Sequence, residues 1–347
     1  MKTSALLLAT SVLFNASAAL AAPQVVASIK PVHSLVAAIM QGVGEPKLIV
    51  EGAASPHTFT MKPSNARAVE SADMVFWMGP GMEAFLEKPL EALASTATVV
   101  ELGEADGLTK LPFREGGAFE AHEHGHEGHD HAEGEGHKHA HEVTDESGHD
   151  HDHDHGHDDY AEKRESAHDH DHDHGAFDTH LWLDPENAKA MAVAIEKALA
   201  AADPENAQAY AANLQTLNGR IDALNKEIVE TIAPVKDKPF VVFHDAYQYF
   251  EGHYGIRVAG SITVSPEVMP GAERVKEIHQ KVQDLGATCV FAEPQFEPKL
   301  VQVVTEGSNA RSGTLDPEGA SLKEGPDLYF ELMRSIASNL KDCLSRA

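Results

Sequence analysis

DPENAQAYAANLQTLNGRIDALNKEIVETIAP, residues 203–234, has the pattern of one long amphipathic helix. Asp203 before Pro204 is typical of a helix start, and Pro234 is typical of a helix end. The apolar positions recur at steps of four and three and so share one face: Tyr210, Leu214, Leu217, Ile221, Leu224 and Ile228. About thirty helical residues span roughly 45 Å, which is long enough to connect two folding units.

Short apolar runs lie on both sides of this helix and alternate with helical patterns. The four runs before it are 25–29 (VVASI), 47–51 (KLIVE), 74–79 (MVFWMG) and 98–102 (TVVEL). The four runs after it are 241–245 (VVFHD), 257–262 (RVAGSI), 289–294 (CVFAEP) and 311–316 (RSGTLD). Such alternation predicts an α/β fold with two lobes, each a mostly parallel four-stranded sheet flanked by helices.

The predicted organisation has four parts. Residues 1–22 read as a signal peptide, with Lys2, an apolar run and an A-x-A pattern at 19–21. The N-terminal lobe is predicted over 23–184 and the C-terminal lobe over 235–347. Residues 185–234 hold two helices, of which the second (about 204–233) is the stiff connector. The mature chain is expected to be periplasmic, without a lipid-anchor cysteine near the cleavage site.

Residues 120–175 differ sharply in composition from the rest of the chain. They mix Asp, Glu and Gly with seventeen of the 23 histidines and hold almost no apolar residues. Such a segment cannot bury enough surface to offset its ordering entropy, so a disordered loop with metal-binding composition is predicted. Its histidines are the candidate auxiliary metal ligands: His122, His124, His126, His129, His131, His137, His139, His141, His149, His151, His153, His155, His157, His168, His170, His172 and His174.

Charge and cysteine content narrow the possible partners and the compartment. A formal net charge of -28 argues against binding to nucleic acid, whose phosphates require a basic surface. Cys289 and Cys343 are the two cysteines of the chain. In an oxidising compartment a lone pair favours a disulfide, with two buried thiols as the alternative.

Three histidines stand where strand-like runs reach turns. His57 follows the second run, His180 precedes a predicted helix start, and His244 lies near the end of the run at 241–245. Ligands collect at the carboxyl ends of parallel strands, so these imidazoles from both lobes are candidates to meet in the cleft. Taken singly, each histidine is more typical of a hydrogen-bonded structural residue.

An ordered set of motifs adds a family resemblance over residues from about 25 to the C-terminus. The motifs are PHTF at 56–59, DTHLWLDP at 178–185, FHDAYQYF at 243–250, AEPQF at 292–296 and GTLDP at 313–317. In this order they resemble the metal-specific substrate-binding proteins (cluster A-I, or cluster 9) of bacterial ABC transporters, and most closely the zinc receptors among them. The resemblance implies two parallel-sheet lobes, a long helix and one metal ion between the lobes.

The resemblance also implies specific ligands. His57, His180 and His244 are the implied metal ligands, and the fourth ligand position falls on Asp316, a water molecule or a loop histidine. Manganese-binding relatives carry a glutamate where His244 stands, and imidazole nitrogen suits Zn2+ better than Mn2+. The resemblance further supports a Cys289–Cys343 disulfide.

The function expected from these features is capture of periplasmic Zn2+ and its delivery to an ABC permease, with the histidine-rich loop as an antenna or buffer. The protein is expected to be a monomer that performs no catalysis. Two alternatives stay open: a periplasmic zinc store dominated by the loop, and a zinc hydrolase. A hydrolase would need an open coordination position and a nearby general base, and the sequence contains no HExxH motif.

Overall fold

The structure is a computed structural model that describes residues 22–114, 119, 177–263, 266, 270–285 and 289–346. The predicted signal peptide, apart from residue 22, lies outside the described residues. The predicted histidine-rich loop and all seventeen of its histidines also lie outside them. Within the described part of the chain, no helix combines the length and apolarity that crossing a membrane requires.

The first sheet has four parallel strands in the order β2-β1-β3-β4. Its strands are β1 (Val25–Ala27), β2 (Lys47–Leu48), β3 (Met74–Trp77) and β4 (Thr98–Glu101). Helices α1 (Lys30–Ile39), α2 (Pro63–Glu70) and α3 (Ala84–Leu93) connect these strands. All residues of β1 and β3 are buried, as expected for central strands covered by helices on both faces.

Two helices follow the first sheet. Helix α4 (Pro185–Ala202) begins after Asp184, whose side chain accepts a hydrogen bond from the backbone N–H of Glu186. Helix α5 (Ala207–Ile232) is the predicted connector, and a short 3-10 turn at Pro204–Asn206 precedes it. The predicted apolar face of α5 is buried except at Leu214, which is half-buried against the same core.

The second sheet repeats the topology of the first, with parallel strands in the order β6-β5-β7-β8. Its strands are β5 (Phe240–His244), β6 (Val258–Thr263), β7 (Cys289–Ala292) and β8 (Arg311–Thr314). The helices of this lobe are α6 (Gln248–Tyr254), α7 (Ala272–Asp284), α8 (Lys299–Thr305) and α9 (Leu328–Leu344). Each of the eight predicted apolar runs therefore contains a strand, and the predicted α/β class is confirmed.

One large apolar core extends from the first sheet through α4, α5 and α9 to the second sheet. A smaller cluster, which includes Val241, Ile278 and Val304, packs under α7 and α8. The predicted disulfide is present: Cys289 of β7 is bonded to Cys343 of α9. In each sheet the second strand in the sequence lies on one side of the first, at β2-β1 and β6-β5, and the third lies on the other side. In folds of this kind, the loops at the carboxyl ends of the strands beside that point form the binding crevice.

Candidate metal centre

His57 reaches the crevice from the first sheet. It is the middle residue of a 3-10 turn at Pro56–Thr58, which follows β2. Pro56 is buried at the first position of this turn, where its fixed φ favours helical geometry. His57 is half-buried as a residue, while its ring atom Nε2 is buried.

His180 lies in the turn before α4 and is held by an acidic neighbour. Asp178 Oδ1 accepts a hydrogen bond from the backbone N–H of His180 at 3.0 Å and lies 2.8 Å from its Nδ1. Asp178 is 2% exposed. Burial raises the pKa of Asp178 to about 7, against the hydrogen bond from His180 and the positive charge of Arg114. A carboxylate at this position fixes the imidazole with its Nδ1 proton toward Asp178.

His244 is the last residue of β5 and has the matching arrangement in the second lobe. Its Nδ1 lies 2.7 Å from Oε1 and 2.8 Å from Oε2 of Glu293, which follows β7. Both side chains are almost completely buried. Burial lowers the pKa of His244, but the charge of Glu293 and its hydrogen bond outweigh burial, so the pKa lies above its ordinary value.

The three imidazoles converge at one point between the sheets. Ring centroids are 5.5 Å apart for His57 and His180, 5.8 Å for His57 and His244, and 5.1 Å for His180 and His244. One potential ligand atom from each residue lies within 4.8 Å of the others. Histidines separated by more than sixty residues in the sequence thus form one nitrogen-rich cluster.

The spacing of the two buried imidazoles suits a tetrahedral metal ion. His180 Nε2 and His244 Nε2 are 3.2 Å apart. With Nδ1 hydrogen-bonded to a carboxylate in each ring, the Nε2 lone pairs face each other, an arrangement that a cation between them stabilises. Zinc–nitrogen bonds of about 2.0–2.1 Å give a tetrahedron edge of about 3.3–3.4 Å, close to the observed separation.

Asp316 occupies a different environment from the three histidines. Its carboxylate accepts hydrogen bonds from the backbone N–H groups of Glu318, Gly319 and Ala320, and from Gln295 Nε2. Across the described ranges, the ligand-type side chains that cluster within 4.8 Å are the three histidines, without Asp316. This carboxylate therefore organises the turn after β8, and its role as a fourth ligand stays a prediction.

The carboxylates that hold two of the three candidate ligand histidines were not predicted from the sequence. Asp178 holds His180, and Glu293 holds His244. The acidic residues Asp184 and Asp245 also lie close to these histidines in the sequence but have other partners: Asp184 caps α4 and pairs with His253, and Asp245 pairs with Arg114. Asp178 stands two residues before His180 in a motif already singled out. Glu293 also lies in a motif already singled out, AEPQF at 292–296. Its pairing with His244 is harder to predict, because 49 positions separate the two residues and they meet only through the pairing of β5 with β7.

A family described as "ZnuA: Zinc-uptake complex component A periplasmic" matches residues 25–343. The chain belongs to this family. A relative named high-affinity zinc uptake system protein ZnuA, from Brucella suis biovar 1 (strain 1330), is 58% identical over 322 residues, which cover 93% of this chain and 92% of the relative. The protein of the same name from Yersinia pestis is 38% identical over 344 residues, with 99% and 96% coverage.

The fold agrees with this membership. A solved structure described as a crystal structure of ZnuA superposes with a TM-score of 0.68 at 22% identity, and the match covers 93% of this chain and 99% of that one. At this identity the likeness concerns the fold alone. The family is one of transport components, and zinc is the ion that its members take up.

Proposed function

We propose that this chain captures Zn2+ in the periplasm and delivers it to the permease of an ABC importer. The observation that carries the proposal is the meeting of His57, His180 and His244 between the two sheets. Two of these imidazoles are buried and each is oriented by a buried carboxylate. A preorganised site of this kind binds without the ordering cost that flexible ligands incur.

The donor set favours zinc as the transported ion. Three imidazole nitrogens suit Zn2+, whereas Mn2+ and Mg2+ prefer oxygen-rich sites. We assign His57, His180 and His244 as the three ligands and leave the fourth position to Asp316, a water molecule or a histidine of the segment 120–175. The histidines of that segment are proposed as weaker auxiliary ligands that raise the local zinc concentration.

A receptor role suits the site better than catalysis. Asp178 and Glu293, the two carboxylates beside the imidazoles, are each engaged with a ring nitrogen. A zinc hydrolase instead needs a carboxylate or imidazole positioned to activate water as a general base. A storage role dominated by the histidine-rich segment gives no reason for an oriented site between the sheets.

The remaining organisation is proposed from the sequence and the family. We propose that residues 1–22 direct export and are removed, and that the mature protein is a monomer. Residues 23–184 and 235–347 are proposed as the two lobes, and 185–234 as the helices that connect them. The described part of α5 runs beside both lobes, which supports this division.

Zinc titration of the full chain and of a triple variant tests the proposal. His57→Ala, His180→Ala and His244→Ala together are expected to abolish one tight site and to leave the weaker sites of the histidine-rich segment. A matched control carries the same number of His→Ala changes within 149–157. If the triple variant kept one tight zinc site and the control lost it, the tight site would lie in the histidine-rich segment and the proposal would be wrong.

A further inference from the structure

Residues 109–114, here called the bridge segment, connect the first lobe to residues 245–251 of the second lobe, which follow β5 and begin α6. At its start, Thr109 N–H donates to Asn187 Oδ1 at 2.7 Å, and Asn187 Nδ2 donates to Thr109 O at 3.0 Å. Further on, Leu111 N–H donates to the hydroxyl of Tyr249 in α6 at 3.0 Å. Gln248 Nε2, also in α6, donates to the carbonyl of Pro112 at 2.9 Å. The segment is thus fixed to α4 at one end and to α6 along its length.

Arg114 makes the strongest of these connections. Its Nε donates to Asp245 Oδ2 at 2.9 Å, and a terminal nitrogen donates to the other oxygen of Asp245. The two terminal nitrogens also donate to Glu251, at 3.1 Å and 2.9 Å. The centroid of the Phe119 ring lies 4.1 Å from the guanidinium carbon. A planar guanidinium that contacts two carboxylates in this way fixes both distance and orientation.

This ion cluster is largely removed from solvent. The side chains of Arg114, Asp245 and Glu251 are 22%, 8% and 10% exposed. Glu251 also accepts a hydrogen bond from the backbone N–H of Val258 at 3.0 Å, which joins α6 to β6. Charges at such depth interact more strongly than exposed pairs, and loss of one partner leaves the others buried without compensation.

The cluster lies directly beside the metal centre. Asp245 is the residue after His244 in the sequence. The hydroxyl of Tyr249 donates at 2.7 Å to the carbonyl of Asp178, the residue whose side chain holds His180. The bridge segment therefore contacts Tyr249, which holds the backbone of Asp178, and Asp245, the residue next to His244. These contacts reach the surroundings of both buried imidazoles.

We propose that Arg114 is a positioning residue. Its contacts with Asp245 and Glu251, here called the strap, hold the start of the second lobe's α6 against the first lobe and thereby slow the release of zinc from the site. This inference rests on the proposed zinc-receptor function. The guanidinium contacts Asp245, Glu251 and Phe119. It acts by holding the residue after His244 in place relative to the elements that carry His57 and His180.

The physical reason is preorganisation across the interface between the lobes. A site built from two lobes binds with its full affinity only while the lobes are held in register. If the strap is lost, the two lobes separate more often while zinc is bound, and each separation removes ligands from the ion and lets it escape. Release is therefore expected to become faster, and the apparent affinity falls with it.

Arg114→Ala in the full chain tests the strap. Each protein is loaded with one zinc ion at the tight site, and release is followed after addition of excess chromogenic chelator. We expect release from Arg114→Ala to be about tenfold faster than from the parent, with the association rate changed by less than about threefold. Arg334→Ala is the matched control, because Arg334 pairs with Glu227 at a position where the two side chains are 45% and 49% exposed. Its release rate should stay within about twofold of the parent rate.

The conservative variant Arg114→Lys separates positioning from a purely structural effect. Lysine keeps the charge but cannot contact two carboxylates bidentately, so an intermediate release rate is expected. This variant also decides the matter if Arg114→Ala does not fold. Parent-like release from Arg114→Lys or Arg114→Ala, with or without a lower free energy of unfolding, would overturn the strap. Absence of a tight zinc from the parent itself would instead refute the proposed function.

Discussion

Replacing Glu293 with glutamine removes the negative charge that holds the Nδ1 of His244 while nearly preserving the size and shape of the side chain. Glu293 is 3% exposed, and both of its carboxylate oxygens lie within 2.8 Å of that nitrogen. The amide oxygen of glutamine can still accept the Nδ1 proton, so the orientation of the ring is retained. The loss is therefore the electrostatic support of a dication by a buried carboxylate.

The expected size of this loss follows from the position of Glu293. Outer carboxylate partners of ligand histidines typically contribute about 10–100-fold in metal affinity, or about 1.4–2.8 kcal/mol. We expect Glu293→Gln to lie in this range, because the contact is short, doubled and shielded from water. Asp178→Asn removes the corresponding support of His180 and should weaken zinc binding by a similar factor.

Competition with a zinc chelator of known affinity measures the effect, and chemical unfolding of the metal-free protein checks that the fold is intact. Glu297→Gln provides the matched control, because Glu297 lies four residues after Glu293 in the sequence and is exposed to solvent. The control should bind zinc within about twofold of the parent. Parent-like affinity in Glu293→Gln with an intact fold would refute the view that His244 binds the metal through Nε2 with Glu293 behind it.

Three further predictions concern stability. Burial raises the pKa of Glu83 to about 8, so the carboxyl stays neutral in the folded protein at pH values where it ionises in the unfolded chain. Its contribution to the free energy of unfolding is complete below the unfolded-state pKa and is lost as pH rises through about 8. Glu83→Gln should flatten the pH profile of the unfolding free energy between these two limits. Replacing both Cys289 and Cys343 with serine should lower the unfolding free energy by about 2–4 kcal/mol, measured with urea, and a change below about 0.5 kcal/mol would contradict a stabilising bond. Ile221→Ala on the buried face of α5 should cost about 2–5 kcal/mol in the same assay, while Val229→Ala at an exposed position of α5 should cost far less.

The fold was accessible from the sequence because local patterns and tertiary environment agree. Apolar runs such as MVFW at 74–77 become buried central strands, since parallel strands covered by helices need apolar residues on both faces. The connector was equally predictable, because its apolar positions follow the helical repeat and Pro234 follows its end. Its start was predicted three residues too early: Pro204–Asn206 form a 3-10 turn, α5 begins at Ala207, and Asp203 makes no side-chain cap.

The site was only partly accessible in the same way. Position at strand ends marked His57, His180 and His244 as candidates, and the order of the motifs strengthened them. The supports of these residues depend on which strands are neighbours: Glu293 reaches His244 because β7 pairs with β5, and no local pattern records that pairing. The contacts of Arg114 with Asp245 and Glu251 likewise span 131 and 137 positions and leave no periodic trace.

The most direct test of the account is an anomalous-scattering map, collected at the zinc absorption edge, of crystals of the zinc-loaded chain. We expect one strong peak between the two sheets, about 2.0–2.1 Å from a ring nitrogen of each of His57, His180 and His244, with Nε2 as the ligand atom of the two buried imidazoles. Absence of a strong peak between the two sheets, or a peak there that is bound by fewer than two of these three histidines, would contradict this assignment.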